Sequence, residues 1–175
     1  GLENVYFKMT GYTPADIERV MRLASAADVD MITFDGSGGG PGYSPCKMMN
    51  EFGYPPVALE ASVDTIARKL HYEGLSLPAI AMTGGFASED QVFKALAFGA
   101  PYVTAVGLCR ASMAAAMTAH NVGEAIVRGE TPAHLKKYGE GMEVFWDLND
   151  LRAIYGKKAE QFPAGAIGVC SYLKK

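Results

Sequence analysis

Ala79-Ile-Ala-Met-Thr-Gly-Gly85, the segment from Ser88 to Gly99, and Tyr102-Val-Thr-Ala-Val-Gly107 together form the stretch that decides the fold of this chain. An apolar run leaves through glycine, a serine-capped helical segment closes at Gly99, and a second apolar run again leaves through glycine. Both runs are apolar throughout rather than alternating, which is the mark of a parallel sheet covered on both faces. The same unit recurs upstream. Val5-Tyr-Phe-Lys-Met9 reads as a strand, followed by Thr13 as N-cap and Pro14 at the first helical position. Ile17, Val20, Met21, Leu23 and Ala24 then recur at helical spacing and predict a helix over 14–27. Met31-Ile-Thr-Phe34 is the second strand, ending at Asp35-Gly36, and the helix after it runs from Ala58 to Tyr72 with Gly74 as its stop. A long Ala/Met-rich helix over 110–128 completes four βα units; its Met113/Met117 and Ala114–Ala116 series reads as core packing.

Beyond Gly129 the sequence predicts a helix near Asp147–Tyr155 and an end, Phe162–Tyr172, interrupted by glycine and proline. The chain reads as one domain, 1–175, with a βα core over 1–129 and a C-terminal extension over 130–175. Its fold class is α/β. Two architectures fit the parallel βα repeats, an open doubly wound sheet and a partial (β/α)8 barrel. A full barrel takes about 250 residues and eight strands, whereas this chain has 175 residues.

Composition narrows the function classes. Apolar residues make up 49% and charged residues 20%, a balance that sustains a packed core and excludes a disordered chain. The formal net charge of −3, with no basic cluster, argues against nucleic acid as a partner. No apolar run approaches the ~20 residues of a membrane span. Cys46, Cys109 and Cys170 are too few and too scattered for a disulfide framework or a metal site, and His71, His120 and His134 share no ligand spacing. A reducing cytoplasm is the expected location.

Glycine carries the chemistry. Gly84-Gly85 follows the third strand and Gly107-Leu108 the fourth, each just before a helix. Glycine at such exits lets backbone N–H groups approach a phosphate with no Cβ in the way; it also serves simply to turn the chain. Asp35-Gly-Ser-Gly-Gly-Gly-Pro-Gly-Tyr-Ser-Pro45 is the most specific string, and it opens a stretch up to Pro56 that is too long for a plain connection. It matches neither the dinucleotide fingerprint nor the P-loop. The alternative is a flexible surface loop.

In this order, Lys8 on a strand, the Asp-Gly…Gly-Gly-x-Gly-x-Ser-Pro loop, the Thr-Gly-Gly exit and the Val-Gly-Leu-Cys-Arg junction resemble the FMN-binding domain of the glutamate synthase family. The resemblance extends to the closing Pro-x-Gly-Ala-Ile-Gly-Val-x-x-Tyr-Leu segment. It implies a (β/α)8 barrel of which this chain is the C-terminal half, with a C-terminal helical extension. It implies FMN as cofactor, a small keto acid as substrate, and flavin-dependent reduction of 2-iminoglutarate to L-glutamate, incomplete in this chain alone. Lys8 would lie at the flavin pyrimidine edge, where a cation stabilises charge on the reduced ring; a strand-end lysine can equally be a solvated edge residue. Asp35, ending a strand at the catalytic face, would be a catalytic residue that orients a ribityl or substrate hydroxyl; it can equally cap a helix or brace the loop. Gly36, Gly38, Gly39, Gly40, Gly84, Gly85, Gly107 and Leu108 would hold the cofactor. Pro41 stands where the family usually has Thr, and Cys109 alone implies no iron–sulfur cluster. Other readings are a non-catalytic phosphate-binding half-barrel module and a phosphosugar- or nucleotide-binding barrel relative.

Four strands cut from a barrel leave two edges and an uncovered apolar face, towards which, or towards the helices, Val5, Phe7, Ile32, Phe34, Ile80, Met82, Val103 and Ala105 alternate. The expected assembly is a homodimer or association with a missing half-barrel.

Overall fold

Two helices of the βα series begin at caps the sequence supplies, Thr13 and Ser88. The structure, a computed structural model, describes residues 3–37, 45–47, 51–139 and 148–173. Strand β1 is Tyr6–Thr10 and helix α1 Pro14–Ala26, with the Thr13 side chain accepting from the Asp16 amide. Strand β2 is Met31–Asp35. Helix α2, Pro56–Tyr72, starts two residues before Ala58 because Pro55 and Pro56 occupy the N-cap and first helical positions, where a missing N–H costs nothing. Strand β3 is Ala79–Thr83 and helix α3 Glu89–Phe98, with Ser88 as N-cap. Strand β4 is Val103–Val106.

The four strands form one parallel sheet in the order β1-β2-β3-β4. Sequential order without a reversal point is a singly wound arrangement; right-handed crossovers then place successive helices on the same face. Under them lies the core, in which Ile17 and Met21 of α1 and Leu59, Val63 and Leu70 of α2 meet Ile32, Phe34, Ile80, Met82 and Val103.

The register sorts the side chains sharply. Phe7 pairs with Ile32 and Ile32 with Ile80, and Met9, Phe34 and Met82 form the next such row. The opposite face is different from the expectation of a broadly apolar surface. It carries Tyr6, Lys8, Thr10, Met31, Thr33, Asp35, Ala79, Ala81 and Thr83, with Ala105 opposite Ala81. Alanine and threonine had disguised a period-2 alternation within runs that look uniformly apolar.

The chain divides into two compact units, Gly1–Leu108 and Cys109–Lys175. The second contains α4, Arg110–Val127, then α5, Leu148–Tyr155, and α6, Ala164–Leu173, with short 3₁₀ turns between. The end that reads as interrupted is therefore a ten-residue helix. Its glycines permit close approach rather than breaking it: a Cβ at Gly168 would collide with the Ala119 Cβ of α4, just as one at Gly123 of α4 would collide with the Ala164 Cβ. Ala115 and Ala116 of α4 do pack, against Gly168 and Gly165 of α6, but Ala114, Met113 and Met117 are exposed. No helix among the described residues is long and apolar enough to cross a membrane.

Candidate functional site

Lys8 and Asp35 project from the sheet face opposite α1 and α2. Lys8 stands level with Thr33, two residues before Asp35 on the neighbouring strand, so both side chains share one face. Lys8 Nζ lies 2.8 Å from Asp35 Oδ2; the Lys8 side chain is 62% exposed and that of Asp35 only 11%. Thr83, level with Asp35 on β3, donates its hydroxyl to Asp35 Oδ1 at 2.8 Å. Both carboxylate oxygens are thus engaged, one by a cation and one by a hydroxyl. The carboxylate fixes the ammonium at one N–H, and the exposed remainder of that ammonium keeps further donors for an anionic or carbonyl group.

Sequence reasoning selected Lys8 and Asp35 but not Thr83. The signal was its position: strand-exit Thr83 and strand-exit Asp35 fall at the same level once β2 and β3 are aligned on their glycines.

The glycines divide into two kinds. Gly84 has φ +112°, and a Cβ there would stand 2.7 Å from the Gly36 carbonyl oxygen. The Gly36 amide in turn donates to the Thr83 carbonyl at 2.8 Å. A Cβ on Gly36 would meet Pro56 and the Tyr54 carbonyl at 3.1–3.2 Å. Gly36 and Gly84 therefore let the β2 and β3 exits stack on each other. Gly85 has φ +78° and its Cβ would meet only the Ser37 carbonyl oxygen, at 3.7 Å, so its side of the backbone is open. Gly107 sits against Thr83, whose Cγ2 would be 2.5 Å from a Cβ placed there, and its amide donates to Met82. Leu108, half-buried, ends the first unit. Gly38, Gly39 and Gly40 lie outside the described residues.

The start of α3 is provided with its own negative groups. Gln91 Oε1 accepts from the Ala87 and Ser88 amides at 2.8 and 3.2 Å, and Glu89 and Asp90 occupy the first turn. Hydrogen bonds from Lys94 and Ser88 hold the Asp90 carboxyl down at about 2. Any anion at the β3 exit must accordingly rely on the glycine backbone rather than on this helix terminus.

A second feature escaped the sequence. Glu60 is 2% exposed, and its Oε1 makes no hydrogen bond. Burial, and secondarily the Asp64 charge, push its carboxyl up to about 7. It lines a cavity of about 820 Å³ between α2 and α3, to which Gly84 and Gly85 of the β3 exit also contribute and Lys8 and Asp35 do not. The available signal was helical spacing: Glu60, Val63 and Ala67 share a stripe with buried neighbours. Among the described residues, no group of three or more His, Cys, Asp or Glu gathers as a metal site.

Residues 3–142 match the family model described as the conserved region in glutamate synthase, and the chain belongs to that family. No curated protein and no solved structure matches the chain.

Proposed function

We propose, on the premise that this chain is a member of the glutamate synthase family, that it binds FMN over the polar face of its sheet, at the strand ends. The observation that carries the reading is the Lys8–Asp35–Thr83 row across three adjacent strands. Lys8, anchored by Asp35 and still exposed, is the cation for the pyrimidine edge of a flavin ring, where negative charge builds on reduction. Gly85 and the Leu108 backbone are the candidates for its phosphate, Gly85 because the space beside it is open, whereas the Gly107 amide is already given to Met82. Gly36 and Gly84 support the same site by keeping the two exits stacked.

When bound, reduced FMN supplies the hydride for converting 2-iminoglutarate, formed from 2-oxoglutarate and ammonia, to L-glutamate. Lys8 contributes a fixed positive charge where negative charge accumulates. Asp35 orients that ammonium, and Thr83 keeps the carboxylate from turning away. The sequential four-strand parallel sheet supports the C-terminal half of a (β/α)8 barrel, with β1 and β4 as its edges. Edge residues Tyr6 and Phe7 are exposed, which supports pairing of β1 with a second copy or with a complementary half-barrel.

The open four-strand sheet also favours a second reading, a phosphate-binding module without redox activity. Denaturing the purified protein and weighing what it releases separates the two. Yellow protein releasing FMN at about one per chain is the expected result. Colourless protein that takes up inorganic phosphate but no added FMN would establish the second reading instead.

A further inference from the structure

We propose that the cavity between α2 and α3 binds a primary ammonium group carried on an aromatic body, with Glu60 as the counter-charge. Neither Lys8 nor Asp35 lines this cavity, although Gly84 and Gly85 of the β3 exit do, so the inference shares that exit with the flavin reading but does not use its cation.

Glu60 stands on the second turn of α2 with its unpartnered Oε1 turned against Gly99, where a Cβ would stand 2.7 Å away. A buried carboxyl without a partner is costly in a folded protein, unless something outside the chain completes it. Asp35 provides the internal comparison: its two oxygens both have partners. The cavity beside Glu60, at about 820 Å³, lies within the range of small-molecule sites.

Its walls select the ligand. Phe86, Phe93 and Phe98 contribute rings, Val57 and Ala95 aliphatic surface. Rings around a carboxylate suit a cation, which gains from both the charge and the ring faces. Beside Glu60 an acid is disfavoured for the same reason. Glu60 is flanked by Asp64 one turn on, itself engaged by Arg68, so the field around Glu60 is negative. The lining cation, Lys94, is held by Asp90 at 2.7 Å and is 74% exposed, which leaves it in solvent. The donors at the adjoining start of α3 are taken by Gln91. A metal ion would find a single carboxylate among apolar walls, too few ligands to replace its water.

The test uses the full chain and 2-phenylethylamine as probe, followed by calorimetry or ligand-observed NMR. Saturable binding is expected at about pH 8, weaker by about tenfold near pH 5.5, where Glu60 is protonated and the amine is still charged. Glu60→Gln is expected to weaken it by about tenfold or more at the higher pH, and Phe93→Ala, at a 72% exposed position, by about threefold without disturbing the fold. Three results would overturn the proposal: no saturation at about 10 mM amine, equal binding of 3-phenylpropionate, or Glu60→Gln binding like the parent. Should Glu60→Gln fail to fold, the pH comparison and Phe93→Ala decide in its place.

Discussion

Replacing Gly84 with alanine is expected to destabilise the first unit by about 3–4 kcal/mol, the sum of a forbidden backbone conformation and an overpacked contact. At φ +112° a side chain is strained on its own account, and the new Cβ would lie 2.7–2.8 Å from the oxygen, carbonyl carbon and nitrogen of Gly36. Backbone atoms cannot swing aside as a side-chain tip can. The β2 exit must move away from the β3 exit, which loosens the Gly36–Thr83 hydrogen bond beside Asp35. Gly74 supplies the control, since it too has positive φ, +83°, but a Cβ there would meet nothing within 4 Å. Gly74→Ala should cost only about 1 kcal/mol. Urea unfolding of both variants measures the difference; equal losses would mean that the two exits do not depend on each other.

Lowering the pH from about 8 to about 5 is expected to stabilise the protein through Glu60, against the usual trend for carboxylates. Its carboxyl is pushed from 4.5 to about 7 by burial first and the Asp64 charge second. Between those two values the folded chain holds a proton that the unfolded chain has released. The stabilisation is therefore fully present below pH 4.5 and lost as the pH rises through 7. For a shift of this size the span is about 3 kcal/mol. Lys94, across on α3, is tied to Asp90 and exposed, so Asp64 is the charge that matters. Glu60→Gln should be more stable than the parent at pH 8 and lose the dependence. Melting curves of both proteins across that range supply the measurement, and parallel curves would show that Glu60 keeps an ordinary acidity.

The elements of the first unit were legible because each carries its own punctuation. Thr13 and Ser88 open helices, Gly74 and Gly99 close them, and the strands between end on glycine. What the sequence concealed was tertiary. Gly165 and Gly168 look like helix breakers until α6 is placed against Ala116 and Ala119 of α4, where only glycine fits. Ala81 and Thr33 hide the alternation that sends Ile80, Met82, Ile32 and Phe34 beneath the helices. The site followed the same division. Lys8 was found through the family resemblance and Asp35 as the end of a strand before the glycine-rich loop, and the two form an ion pair. Thr83 emerges only from register. Glu60 resembles any helical glutamate until Gly99 and Val103 are packed beside it. Gly84, which reads equally as phosphate cradle or turn, has a packing role that depends on a residue 48 positions away, the distance in sequence between Asp35 and Thr83.

The central claim, that the strand ends bind FMN through Lys8, is tested most directly by flavin fluorescence on titrating FMN with the parent protein and with Lys8→Met. Saturable quenching at one FMN per chain is predicted for the parent, with affinity reduced about tenfold in Lys8→Met, the loss of one charge-assisted hydrogen bond. Equal affinity of the two proteins, or no quenching at about 100 μM protein, would contradict it.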